Sequence, residues 1–140
     1  MAIKKTYDPT KVVVIVGTVP IRGFADGDMV TVEFTNDHKS VHEGTDGEYR
    51  FVSNPSKVST VTIRVSDYSI VNAALTLIRD ADVAVPITIK DKNSVGDLVF
   101  VEAAVLQKTP NYVKSTAPSM LDWAFIAGGT RVVFTGAATV

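Results

Sequence analysis

Val58-Ser59-Thr60-Val61-Thr62-Ile63-Arg64-Val65 reads as a strand with two unlike faces. Side chains alternate along extended backbone, so Val61, Ile63 and Val65 fall on one side and Thr60, Thr62 and Arg64 on the other. Upstream, Met29 to Thr35 repeats the pattern, with Val30, Val32 and Phe34 facing Thr31, Glu33 and Thr35 across the backbone. Each reads as a half-buried strand, and the two match in polarity.

Outward from this pair, Val12 to Val16 is an unbroken β-branched run whose two faces are both apolar. Such a strand is expected to be buried on both sides or to pack one face on a neighbouring subunit. Before it, residues 1–10 show no periodicity and read as an N-terminal arm. Gly23-Phe24-Ala25-Asp26-Gly27-Asp28 reads as a turn, and residues 36–48, polar and freed by Gly44 and Gly47, as a long hairpin loop. Tyr49 to Val52 begins a return strand that Ser53-Asn54-Pro55 breaks.

The period changes at Tyr68. Val71, Ala74, Leu75 and Ile78 recur at helical spacing, predicting one helix over 67–80 that Asp67 or Ser69 can cap. Val85, Ile87 and Ile89 then alternate, residues 93–97 form a turn, and Leu98 to Gln107 makes a longer strand. Beyond the loop 109–122, Trp123 to Ala127 and Arg131 to Thr135 read as a hairpin across Gly128-Gly129, followed by a loosely held tail at 136–140. The expected architecture is mainly β, a single domain spanning 1–140. It is a β-sandwich or partly closed barrel of about seven strands flanked by one α-helix.

Composition narrows the function. At 140 residues the chain is the size of one domain. It is 46% hydrophobic with a mean hydropathy of +0.20, high for a small domain, so some apolar surface is expected to be covered by other subunits. A net charge of −1 gives no basic footprint for gripping a phosphate backbone. With no cysteine there is neither disulfide nor thiolate metal site. No apolar run approaches a membrane span, and Val12 to Val16 is too short for a signal-peptide core, so a soluble, unsecreted protein is expected.

Catalytic chemistry has little to work with. The only histidines, His38 and His42, share the polar loop with Glu43. The H-x3-H-E spacing would align two metal ligands on a helix, but glycines and turn formers surround it. Asp26-Gly27-Asp28 and Asp46-Gly47-Glu48 lack the spaced carboxylates of a calcium loop, and no glycine cluster carries the Gly-Lys-Ser/Thr of a phosphate loop. No catalytic residue, cofactor or metal is expected.

Three motifs in order carry a resemblance. Gly23-Phe24-Ala25-Asp26-Gly27-Asp28, Gly44-Thr45-Asp46-Gly47-Glu48 and Ser69-Ile70-Val71-Asn72-Ala73-Ala74-Leu75 together resemble the tail tube proteins of contractile-tailed bacteriophages. That family is similar in fold to the type VI secretion tube protein. The resemblance covers about residues 12 to 135, and two departures stand out: Tyr49 with the basic residue delayed to Arg50, and a helix entered through Asp67-Tyr68. It implies a non-enzymatic virion protein, assembled in the host cytoplasm, that forms hexameric rings stacked into the inner tail tube. Sheath, baseplate and tail-terminator proteins are the implied partners, and DNA passes only transiently through the lumen, with no membrane involved. A related contractile injection machine, or another self-assembling virion β-protein, is the alternative.

Two surfaces are expected to serve assembly. Asp37, His38, Lys39, His42, Glu43, Asp46 and Glu48 offer polar pairing partners for stacking on an adjacent ring, without an apolar patch. Thr31, Glu33, Thr35, Thr60, Thr62 and Arg64 are the candidate lumen or ring-contact face, opposite the apolar sides of their strands.

Overall fold

The structure, a computed structural model, describes residues 8–24, 29–93 and 97–134. Nine strands and one α-helix are present among them: β1 Val12–Val16, β2 Val19–Pro20, β3 Val30–Phe34, β4 Lys39–Glu43, β5 Tyr49–Ser53, β6 Ser59–Ser66, α1 Val71–Ala81, β7 Val85–Asp91, β8 Leu98–Lys108 and β9 Met120–Val133. Most of the expected arm and the whole 136–140 tail lie outside the described residues, as do Ala25 to Asp28 and the centre of the 93–97 turn.

Seven strands form one antiparallel sheet in the order β2-β1-β7-β8-β9-β6-β3, and β4 and β5 pair separately. The fold is mainly β with one helix, as expected, built on a large seven-strand sheet that is not closed into a barrel. Its ends, β2 and β3, do not pair. The chain bridges them instead, because Ile21 N–H donates to Val14 O, Phe24 pairs with Val65, and Ser66 N–H donates to Gly23 O. Pro20, which has no N–H, sits in the two-residue edge strand β2, where a missing donor costs least.

One face of the sheet is the core. β6 is buried at every second residue, Ser59, Val61, Ile63 and Val65, as its alternation predicts. Val14 and Val16 of β1, Ile87 of β7, Val101 and Ala104 of β8, and Phe125 and Ala127 of β9 join them, all at or near zero exposure. Helix α1 adds Val71 and Leu75. An 11-residue helix is about 16 Å long, whereas seven strands span roughly 29 Å, so the sheet has to curl over its own apolar face to bury it. Val13 and Ile15, on the far side of β1, stay half-buried.

The glycines read as a hairpin turn are inside a strand. β9 runs 14 residues straight through Gly128-Gly129. Its burial phase nevertheless flips there: Trp123, Phe125 and Ala127 are buried before the glycines, and Thr130 after them. β8 flips opposite, with Val101 and Ala104 buried and Glu102 and Ala103 both exposed. The two strands keep one register with each other across this point, Val101 on Thr130 and Ala104 on Ala127, while β8 slips by one residue against β7. Each strand thus carries an extra residue at the same level, a bulge shared by a pair. Gly129 takes φ 67, and a Cβ there would lie 2.6 Å from Glu102 Oε2, so only glycine fits. Ser59 and Thr130 close the level from inside with a buried hydroxyl pair at 2.7 Å.

Candidate functional site

The sequence motifs separate into a body and a projection. In the body, Gly23 has φ 72, and a Cβ on it would be 2.9 Å from Ser69 Cβ and Oγ. This close approach lets Ser69 Oγ donate to Arg22 O at 2.6 Å and accept from Val71 N–H at 3.3 Å, opening the helix. Asn72, one turn on, donates to Ser66 O at 3.0 Å and accepts from Trp123 Nε1 at 3.1 Å. One amide therefore ties together the end of β6, helix α1 and β9. Leu75, the next residue of the motif, is buried beneath them. The Gly-Phe and Ser-x-x-Asn-x-x-Leu motifs are two sides of one packing knot. The helix starts at Val71 rather than 67, because Asp67 instead accepts from Ser119 N–H and pairs with Lys114, holding the 109–119 segment.

The Gly-x-Asp-Gly-Glu motif makes the projection. β3 and β6 pair as a hairpin from Val30–Ile63 to Phe34–Ser59, and the same two chain directions pair again as β4 and β5, from Lys39–Ser53 to Glu43–Tyr49. The expected 36–48 loop is thus the outer part of a long β-ribbon, and Lys39 to Glu43 is a strand in spite of its charges. What sequence reading missed was the partner: Tyr49 to Ser53 pairs with β4, not with the sheet. The two paired stretches are offset by one residue, taken up where Asn54 and Pro55 interrupt pairing; Asn54 N–H still reaches His38 O and Thr35 N–H reaches Val58 O. At the tip, Gly44 N–H donates to Glu48 O at 2.7 Å, Asp46 accepts from Glu48 N–H, and Gly47 takes φ 89.

The candidate residues occupy this frame as follows. Lys39, His42 and Glu43 are on β4, Asp37 and His38 at its base, and Asp46 and Glu48 in the tip. Extended backbone puts His38 and His42 roughly 13 Å apart, too far to share an ion, and His38 stacks edge-on to Phe34 with ring centroids 5.9 Å apart. No group of His, Asp and Glu suited to a metal occurs among the described residues. Every residue of β4 and β5 is exposed. Against expectation the ribbon also has an apolar face, with Val41 opposite Phe51 and Tyr49 packed edge-on to Phe51 at 5.5 Å.

The second surface is contiguous. Thr31 lies opposite Thr62, and Glu33 opposite Thr60, on the face of the sheet away from the core. Arg64 extends it onto β9 through a 2.9 Å bond from Nε to Asp122 Oδ1, and Thr35 follows just beyond the end of β3. Farther along the same face, sequence reading had no reason to flag Phe100, Val105 and Ile126, which are substantially exposed. Among the described helices none is long and apolar enough to cross a membrane.

This curled sheet with its single helix is the fold of tube and tube-capping components of contractile injection systems. The cap of the anti-feeding prophage, a tube-terminating cap, has a TM-score of 0.68 at 13% identity, over 96% of this chain and 95% of that one. A chain from the sheath-tube complex of the extracellular contractile injection system PVC, in the extended state, has a TM-score of 0.65 at 15% identity, over 92% of both chains. A chain from the PVC sheath/tube terminator gives 0.66 at 14% identity, over 94% of this chain and 99% of that one. No curated protein sequence matches the chain. Residues 14–134 match the model of the bacteriophage PhiTE tail tube protein family, and the chain belongs to that family. It is a structural, non-enzymatic tail tube protein, a component of the virion tail.

Proposed function

We propose that this protein forms hexameric rings that stack into the inner tube of a contractile tail, with the β4–β5 ribbon of each subunit reaching the adjacent ring. The observation that carries this reading is the ribbon, a built strand pair held outside the body with every residue exposed. A head-to-tail contact closes a ring when its rotation divides a full turn, and a second contact along the axis gives an open stack. Immobilising the exposed side chains of the ribbon in one contact costs about 0.5–1.5 kcal/mol each, so a lone contact is weak. Six equivalent contacts acting together make stacking cooperative.

Thr31, Glu33, Thr35, Thr60, Thr62 and Arg64 would line the lumen or the contact between ring neighbours. A neutral, hydroxyl-rich wall suits a conduit, because it offers DNA few of the Lys and Arg contacts that release counterions and pin a duplex. The sheath-tube and terminator assemblies whose chains share the fold support a sheath around this tube and a terminator at its end, and a baseplate at the other end belongs to the same reading. Assembly in the host cytoplasm and passage of DNA at ejection complete the reading. The test replaces residues 39–53 with a short Gly-Ser turn and images the product: folded subunits or rings without tubes are expected, and unchanged tubes would refute the stacking role.

A further inference from the structure

The ribbon has two unequal faces. Residues on alternate positions put Val41, Tyr49 and Phe51 on one side, bordered by Lys39, Glu43 and Ser53, while Ser40, His42, Arg50 and Val52 occupy the other. Val41, Tyr49 and Phe51 are 58%, 66% and 67% exposed. β4 and β5 make their principal contacts with each other and not with the body. A two-stranded ribbon alone in water is marginal at best, and aromatic pairs left uncovered on it add surface that water disfavours. At the tip one Asp46 carboxylate oxygen is turned inward to accept from Glu48 N–H, so that side chain has less to offer a partner than its charge suggests.

We infer that the ribbon binds through the apolar face of Val41, Tyr49 and Phe51, and that the surface it covers belongs to a second copy of this chain. This rests on the stacking reading above and replaces its charged residues as the main source of affinity. The border carries both signs, Lys39 against Glu43, which does not suit a polyanion such as DNA. A net charge of −1 leaves copies of the chain little mutual repulsion. Every copy presents the same apolar face, so a contact between copies covers all of them except at the end of the assembly. To propagate, the face meets a different surface on the next copy rather than its own equivalent, which would close a dimer.

The experiment measures the protein concentration at which full-length chain begins to polymerise, by sedimentation and imaging. A double variant, Tyr49→Ser with Phe51→Ser, is expected to raise it at least about tenfold, the scale of losing one buried aromatic. Glu43→Gln with Arg50→Gln is expected to move it no more than about threefold, as loss of exposed charges does. Thermal unfolding of dilute subunits separates a lost contact from a lost fold, since both serines replace exposed residues and the body should melt as before. Should the aromatic variant polymerise like the wild type while the ribbon-less chain does not, the apolar face is refuted and stacking by the ribbon stands. Should the ribbon-less chain also form tubes, both fall. Normal tubes from the aromatic variant that no longer bind purified sheath protein would assign the face to a different partner and overturn the second copy.

Discussion

β5 and β6 are neighbours in sequence and alike in pattern, yet they live in different surroundings. In β6, Val61, Ile63 and Val65 are completely buried; in β5, Tyr49, Phe51 and Val52 are all exposed. Period-two alternation identifies a strand and its apolar side, but not what that side meets. For β6 it meets the core of the same chain. β5 makes its principal contacts with β4, outside the core. The difference separates residues that hold the subunit together from residues available to hold subunits to one another.

The largest expected effect tests that separation directly. Phe125→Ala removes a buried aromatic from the sheet and should cost about 3–5 kcal/mol of unfolding free energy, read by chemical denaturation of the subunit. Phe51→Ala, the same change on the ribbon, should stay within about 0.5 kcal/mol of the wild type in the same assay. Equal losses would show that the ribbon packs on the body of its own subunit.

A smaller effect belongs to the shared bulge. Gly129→Ala forces a side chain into a left-handed backbone and against Glu102, and should cost about 1–3 kcal/mol. Gly128→Ala, where an added Cβ would come no closer than 3.9 Å to Ala103 O, should cost under about 1 kcal/mol. Matching melting temperatures for the two would remove the argument that position 129 in particular needs glycine.

The smallest effect lies at the start of the sheet, where Pro9–Lys11 form a 3-10 turn leading into β1. The Thr10 hydroxyl and then the Thr10 N–H donate to Asp8, holding its carboxyl below the ordinary value. Because the folded value is the lower one, this contribution is present above the ordinary carboxyl range and is lost as pH falls through the lowered value. Protection of the Thr10 amide, its exchange rate relative to an unstructured amide at the same pH, should therefore fall on acidification, and Asp8→Asn should abolish the dependence. An unchanged profile in that variant would assign it to another group.

Much of this was legible in the sequence where period and partner coincide. Val30 to Phe34, Ser59 to Ser66 and Val71 to Ile78 are read from spacing, because each buries one face inside the chain. Gly128-Gly129 misled, since two glycines between apolar runs are the signature of a hairpin, and a bulge shared by two strands uses the same residues without reversing the chain. Lys39 to Glu43 was hidden because it has no buried face, leaving only charge and turn formers to judge by. Of the candidate residues, the sheet face from Thr31 to Arg64 was placed by alternation alone. The apolar face of the ribbon was not, because it depends on which strand Tyr49 to Ser53 pairs with, and local sequence does not encode that choice.

The shared bulge also bears on how such a chain can change over time. Removing Glu102 alone would put every later side chain of β8 on the wrong side of the sheet relative to β9, and removing Gly129 alone would do the same in reverse. Loss of both at once restores a common frame between the two strands while still shifting each against its outer neighbour. Length changes here have to come as matched sets across the sheet, so this level is closed to the single-residue insertions and deletions that the ribbon tip between Gly44 and Glu48 can absorb.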